Sequence, residues 1–410
     1  MGRWRHRSRG RTARTGWHVV AVVENVAFGT DHRLRKQVET LLAHDHQVTV
    51  IGRHHDLNAP YRDREGISIL EYPNPPEPRG PVGHVVEYVW SGLFTTLLLL
   101  RVRLRGPVDV LQLCQPPDIY FPIAAFARRG GTRVVVDQRD LMPELLQARY
   151  PRAPRRVIDL LHLLERRTQR TVDHTITVNE FLQRRLVAAG GGERVSVLWN
   201  GPVLSRVDAA RRSSGLRREN EHLVVWAGKM GVQDRAELVV DVAESMIVSA
   251  GRTDVRFVLL GDGECLEDLR ALVRRRHLED RVMFTGWVPE TTVFEYLTAA
   301  DAGIDTTLQE EVTPVKALEY MAFGLAFVAF DVCETRRLAS GAAVFAAPGD
   351  VDALARALTD LLSDEARRRA LGRVGRRRVE ERLSWERQEA AYLGVVGPSS
   401  TPSSGGPARG

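Results

Sequence analysis

Three stretches of this 410-residue sequence combine residue types that could do chemistry. The first is DTTLQEEVTPVKALEYMAFGLAFVAFD, Asp305 to Asp331. Thr313 suits an N-cap, Pro314 the first helical position and Gly324 the residue just past a helix end, so a helix is predicted between them. Lys316 falls in its first turn, where unpaired N–H groups and the helix dipole attract anions and an ammonium adds a point charge. Glu319 follows three residues on along the same face, where a carboxylate could accept both hydroxyls of a ribose. Glu311 stands upstream, separated from Glu319 by seven residues. The ordinary alternative for Glu319 is an exposed helical glutamate. Ala317, Leu318, Met321 and Ala322 supply the buried side, and LAFVAF reads as a buried parallel strand.

The second stretch is HLVVWAGKMGVQDRAELVVDVAES, a strand, a glycine loop and a helix. Gly228 and Gly231 permit close backbone approach, and Lys229 and Arg235 lie six residues apart at a helix entrance, together a diphosphate cradle. A glycine turn with surface cations is the plainer reading. Of three lysines against 55 arginines, two are Lys229 and Lys316. The third stretch is TRVVVDQRDLMPELLQARY, in which Asp137, Arg139, Asp140, Pro143 and Glu144 emerge at the carboxyl edge of a strand. Arginine cannot act as a base but can bind an anionic sugar or a lipid phosphate. A salt-bridged loop is the alternative.

The two glutamates seven residues apart, with Lys316, the block LEYMAFG and a buried strand, resemble the donor-site motif of retaining glycosyltransferases of family 4. That family has the GT-B fold, and the similarity extends through most of the chain. The resemblance implies two doubly wound Rossmann-like parallel-sheet domains facing an interdomain cleft, the first binding acceptor and the second a nucleotide-sugar. It implies that Gly228, Lys229, Arg235 and Lys316 stabilise the departing diphosphate, that Glu311 orients the sugar and that Glu319 holds the ribose. The loop of Gly286, Trp287 and Val288 would hold the base, largely through backbone, with Gly231 on the donor side. Acceptor or sugar contacts fall on Gly29, Arg139, Asp140 and Glu144; for Gly29 a simple turn glycine is an equal reading. Many members have histidine directly before the aspartate that matches Asp140, and this chain departs from them with Arg139. A front-face reaction with retention needs no separate base, so the expectation is a sugar transfer to a glycan, lipid-linked or small-molecule acceptor, without cofactor or metal. The alternatives are another GT-B enzyme, such as an epimerase or phosphorylase, or a catalytically silent sugar-nucleotide-binding partner.

The elements that must position these residues are legible as alternating strands and helices, and a chain 43% hydrophobic and 27% charged has the composition for two globular domains. The net charge of +6 is located in the first sixteen residues, which hold six arginines and no acid. The remaining body is neutral, so a nucleic-acid surface is not expected, and the arm is either solvated or in contact with anionic lipid. Cys114, Cys265 and Cys333 have no metal spacing and indicate a reducing, cytoplasmic setting. Expected boundaries are a disordered basic arm at 1–16, an N-terminal domain at 17–205, a C-terminal domain at 206–380, a helix returning to the first domain at 381–396 and a disordered tail at 397–410. Gly29 alone after the first strand does not make a dinucleotide fingerprint, and GDGE lacks its third glycine. Asp350-Val351-Asp352 resembles a metal-holding Asp-x-Asp but introduces a helix, where capping is the better account. The run from Val85 to Leu100, flanked by Arg101, Arg103 and Arg105, is short for a spanning helix. It is either a core helix or one lying in a membrane interface, which would place the protein at the inner face of the membrane.

Overall fold

The computed structural model describes residues 16–75, 80–150, 152–210, 216, 221–310 and 312–397. The basic arm up to residue 15, most of the linker between 211 and 220, Glu311 and the tail from 398 lie outside them. The chain divides into two α/β units. One takes in the residues up to Thr177, Gln183–Ser196 and the chain from Ala391; the other takes Val178–Leu182 and Val197–Ala390.

Seven strands build the first sheet: β1 (His18–Val23), β2 (Gln47–Arg53), β3 (Ile67–Tyr72), β4 (Val110–Gln115), β5 (Arg133–Gln138), β6 (His174–Thr177) and β7 (Val195–Val197). Their order is β3-β2-β1-β4-β5-β6-β7. The second sheet is β8 (His222–Ala227), β9 (Val255–Leu260), β10 (Val282–Gly286), β11 (Ala302–Asp305), β12 (Phe327–Phe330) and β13 (Ala343–Ala346). It runs β10-β9-β8-β11-β12-β13. The described strand pairs are parallel. Strands such as VVVDQ and VRFVLL are largely buried on both sides because helices cover both faces of a parallel sheet. This is the doubly wound, Rossmann-like architecture expected from the sequence. Strand order reverses between β1 and β4 and again between β8 and β11, and the carboxyl ends flanking such a reversal are where open α/β sheets bind ligands.

In the second unit the helix Val315–Ala322 is seated on that reversal. Tyr320, fully buried, donates its hydroxyl to the carbonyls of Val225 on β8 and Ile304 on β11, both at 3.1 Å. Gly303 makes the fit possible, since a Cβ there would lie 2.6 Å from the Tyr320 ring. The helix begins one residue later than expected, with Pro314 as its N-cap. Thr313 does not cap it; its hydroxyl accepts from the Asn179 amide at 3.0 Å. Gly324 ends the helix with φ +66, as its position in the sequence implies.

Asp350 caps the helix Val351–Ser363 through the Ala353 N–H at 2.8 Å, and Asp352 accepts from the Ser245 hydroxyl, which accounts for both aspartates of the Asp-x-Asp. The Val85–Leu100 run proves to be part of a longer helix, Gly80–Arg105, of 26 residues. It is not the core helix of the first alternative, because most of its leucines and valines face outward.

The first unit has a polar interior at its carboxyl edge. Gln115, Gln138 and Thr177 are register partners across β4, β5 and β6, so they share one face, and all are fully buried. The helix Arg155–Thr171 covers that face, with the Thr175 hydroxyl donating to Gln169 at 2.9 Å. Asp118, in the loop after β4, is also fully buried. Burial, reinforced by the charges of Glu165 and Glu144, pushes its carboxyl up to about 7, and burial lifts Glu165 to about 6. An acid whose folded value is raised holds its proton preferentially in the folded state, so its contribution is full below its ordinary value and is lost as pH rises through the folded one. Asp118→Asn should therefore gain melting temperature relative to the parent between pH 5 and pH 8, measured as the difference between two thermal-melt series. A difference that stays flat with pH would mean Asp118 is ionised throughout.

Candidate functional site

The residues singled out in the second unit converge on the β8/β11 reversal. Lys316, in the first turn of its helix, holds its Nζ 5.1 Å from the centroid of the Trp226 ring, 3.8 Å from Asp234 Oδ1 and 3.9 Å from Asp305 Oδ1. Its side chain is 11% exposed. Trp226 is fully buried at the end of β8 and gives the ammonium an aromatic floor. Gly228 lies alongside: a Cβ there would stand 3.2 Å from Lys316 Cε and 3.3 Å from the Trp226 ring. The glycine lets the lysine lie against the loop backbone.

Two further loops join at the same edge. Gly261, at φ +129, comes so near that a Cβ would lie 1.9 Å from the Gly228 carbonyl oxygen. Its N–H donates to the Gly286 carbonyl at 3.1 Å, while the Met230 N–H donates to Asp262 at 2.9 Å. The Gly286, Trp287, Val288 loop is thereby tied to the glycine loop after β8. Gly286 has φ +68, which favours glycine, and the Trp287 ring is exposed. Gly231, buried, stands at the head of the turn Val232–Asp234.

Charge in the site is mixed. Lys229 is exposed, and Asp305 is buried with Oδ1 accepting from the N–H and hydroxyl of Thr307. Burial pushes the Asp234 carboxyl above its ordinary value against the pull of Lys316 and Lys229. Arg235 adopts a left-handed backbone, φ +52, and its guanidinium is paired with Glu237. Glu319 is half-buried one turn beyond Lys316. Glu311 lies outside the described residues, and its neighbour Glu310 accepts from the Cys333 N–H at 2.7 Å, pinning that loop. Asp234, Asp305, Trp226 and Gly261 were missed by sequence reasoning. Asp305 could have been found as the last residue of a buried strand at the reversal, and Asp234 sits inside a loop that was read for its cations alone.

The candidate residues of the first unit are placed differently. Arg139 donates to Asp31 at 2.6 Å, to Asp137 at 3.3 Å and to the Cys114 sulfur at 3.4 Å. Asp137, fully buried, also receives Arg33 and Gln37 at 3.0 Å. Burial alone would raise its carboxyl, but the guanidiniums of Arg33 and Arg139 hold it below the usual aspartate range. Asp31 in turn caps the helix His32–Ala43 through the Leu34 N–H. The Arg139 guanidinium is thus paired with two carboxylates of its own unit. Asp140 is exposed, and Glu144 pairs with Arg185 at 2.8 Å. Gly29 has an internal explanation, since a Cβ would meet the Leu57 carbonyl oxygen at 1.9 Å.

Comparison with known proteins matches residues 28–201 to the glycosyl transferase 4-like domain and residues 221–364 to glycosyl transferases group 1. The chain belongs to the group 1 glycosyltransferases. Among curated relatives of this family, 2-deoxystreptamine glucosyltransferase of Streptomyces kanamyceticus is 30% identical over 179 residues, 42% of this chain and 44% of that protein. The match thus spans less than half the length of that relative. Among solved structures, a glycosyltransferase from Rickettsia africae superposes with a TM-score of 0.72 at 13% identity, covering 94% of this chain and 100% of that one. The Anabaena protein HepE in complex with UDP-glucose superposes at 0.70 and 15% identity, covering 92% and 98%. At these identities the structural likeness establishes a shared GT-B fold.

Replacing Arg139 tests its place in the buried network. Arg139→Ala takes the guanidinium from the buried Asp31 and leaves Asp137 with Arg33 alone, so it should destabilise the protein by about 3–5 kcal/mol in denaturant unfolding. Affinity for nucleoside diphosphates should stay unchanged in a titration at a temperature where the variant is folded.

Proposed function

We propose that this chain transfers a sugar from a nucleotide-sugar donor to a glycan, lipid-linked or small-molecule acceptor with retention of configuration. The second unit binds the donor and the first the acceptor. The observation that carries this reading is the largely buried Lys316 ammonium at the strand reversal, in the first turn of a helix and beside the Gly228 backbone. Helix N–H groups, a nearby ammonium and glycines that bring loop backbone close together suit a diphosphate, which must be stabilised as it departs. The exposed Trp287 ring and the Gly286 backbone stand on a loop joined to that site and suit a nucleobase. The curated Streptomyces relative is named for glucosyl transfer and HepE was solved with UDP-glucose, which supports UDP-sugars as the first donors to try.

Charge compensation by Lys316 and Lys229 leads us to propose transfer without a divalent metal. Incubation of the purified protein with UDP-, GDP- and ADP-sugars and candidate acceptors should give a product whose anomeric coupling in proton NMR matches the donor's. Turnover should survive a chelator. An inverted anomer would reject the front-face reading, and activity lost with chelator and restored by divalent ions would reject the ammonium as the main stabiliser of the leaving group.

Lys316 and Glu319 should fail differently. Lys316→Ala removes charge that matters most as the diphosphate leaves, so turnover should fall by about 2–4 kcal/mol in activation free energy. Glu319→Ala removes ribose hydrogen bonds common to ground and transition states, so donor affinity should weaken by about 1.5–3 kcal/mol with turnover less changed. Initial rates and nucleotide titrations on the two variants separate the roles.

A further inference from the structure

The helix Gly80–Arg105 is inverted relative to an ordinary surface helix. The side it turns toward the first sheet carries Glu87, Ser91 and Thr95, all buried, before Leu99 and Val102. Two of these polar groups have fixed partners: Glu87 takes Arg53 at 2.8 Å and Ser91 donates to the buried Glu24 at 3.0 Å. Trp90 Nε1 donates to the Pro73 carbonyl at 2.8 Å. The opposite side is apolar and exposed: Val86, Val89, Leu93, Leu97, Leu100 and Leu104, with Val89 67% and Leu104 89% accessible. At 100° per residue these six fall within one narrow arc, and from Val86 to Leu104 they run about 27 Å. Single exposed leucines need no explanation, but a continuous stripe marks a contact surface.

The charges bordering the stripe decide among occupants. Arg101 and Arg105 are exposed at its carboxyl end. Arg103 lies 5.4 Å from the centroid of the Phe126 ring, which brings alongside the helix Phe121–Arg129 with its own exposed phenylalanine and the exposed Arg129. The long helix has one acid, Glu87, and it is buried against Arg53. A second copy of the chain would meet this stripe with arginine against arginine if parallel. If antiparallel, it would meet it with no exposed carboxylate on the facing turns. An anionic surface complements it in either case. Residues Gly83–Arg105 are long and apolar enough to cross a bilayer, yet the polar side is committed to Arg53 and Glu24, so the helix lies on the surface.

We propose that this stripe docks the first unit onto a lipid bilayer with anionic headgroups, its leucines reaching the acyl boundary and Arg101, Arg105 and Arg129 meeting the headgroups. The proposal stands apart from the reaction assigned above, since it concerns where the protein works and leaves the donor site untouched. Flotation of the full chain with phosphatidylcholine vesicles, with and without phosphatidylglycerol, tests it. Binding should require the anionic lipid and should fall with salt. Leu93→Glu combined with Leu97→Glu should abolish it, while the melting temperature stays near the parent's because both positions are exposed. Arg101→Gln should weaken it about fivefold. Flotation of the leucine double variant equal to the parent would overturn the stripe as the docking surface. A parent that is dimeric in solution, and that the double variant converts to a monomer, would assign the stripe to a second copy instead.

Discussion

Lys316 depends on a spacing. Asp234 and Asp305 approach its ammonium to nearly four ångströms, outside hydrogen-bonding distance, and Trp226 offers a ring face in place of a charge. The ammonium is thereby largely desolvated without being fully neutralised, so it keeps attraction to spare for an incoming anion. Moving either carboxylate inward by an ångström would make an ordinary salt bridge and spend that attraction internally. The spacing is set by backbone: Asp305 closes β11, Trp226 is the last residue but one of β8, and Tyr320 bonds the lysine's helix to both strands. Much of the second unit's architecture serves to hold one charge at that distance.

The glycines around it follow from the same requirement. Four loops at the carboxyl edge must leave room for a ligand and still touch one another, and Gly261 manages this by backbone contact with Gly228, where a side chain on Gly261 would collide and one on Gly228 would press on Lys316 and Trp226. A site lined in this way presents peptide groups, which cannot swing out of position, so electrostatic preorganisation comes from the fold itself.

The fold was legible in the sequence because buried parallel strands announce themselves as apolar runs and their crossover helices as periodic ones, as β1 and the helix Arg155–Thr171 illustrate. Lys316 and the glycine loop were legible because helix-start chemistry is local. What escaped was non-local. Thr313 looked like a cap, but a competing partner, Asn179, lies 134 residues away. Asp234 and Asp305 gain meaning only once β8 and β11 are neighbours. The Gly80–Arg105 helix misled for another reason: composition reports how apolar a helix is, whereas which side faces the sheet depends on Glu24 and Arg53, far from it in sequence.

The network of Asp31, Arg33, Asp137 and Arg139 balances two carboxylates against two guanidiniums in the first unit's interior. Such a balance has a consequence for descent. Losing one arginine strands a carboxylate, losing one aspartate strands a cation, and either intermediate is penalised before a compensating change can arrive. Positions 31, 33, 137 and 139 are therefore free to drift only in concert. A single substitution at 139 therefore crosses a valley of instability unless its partners change with it, so the residue is held by its neighbours as much as by any chemistry of its own.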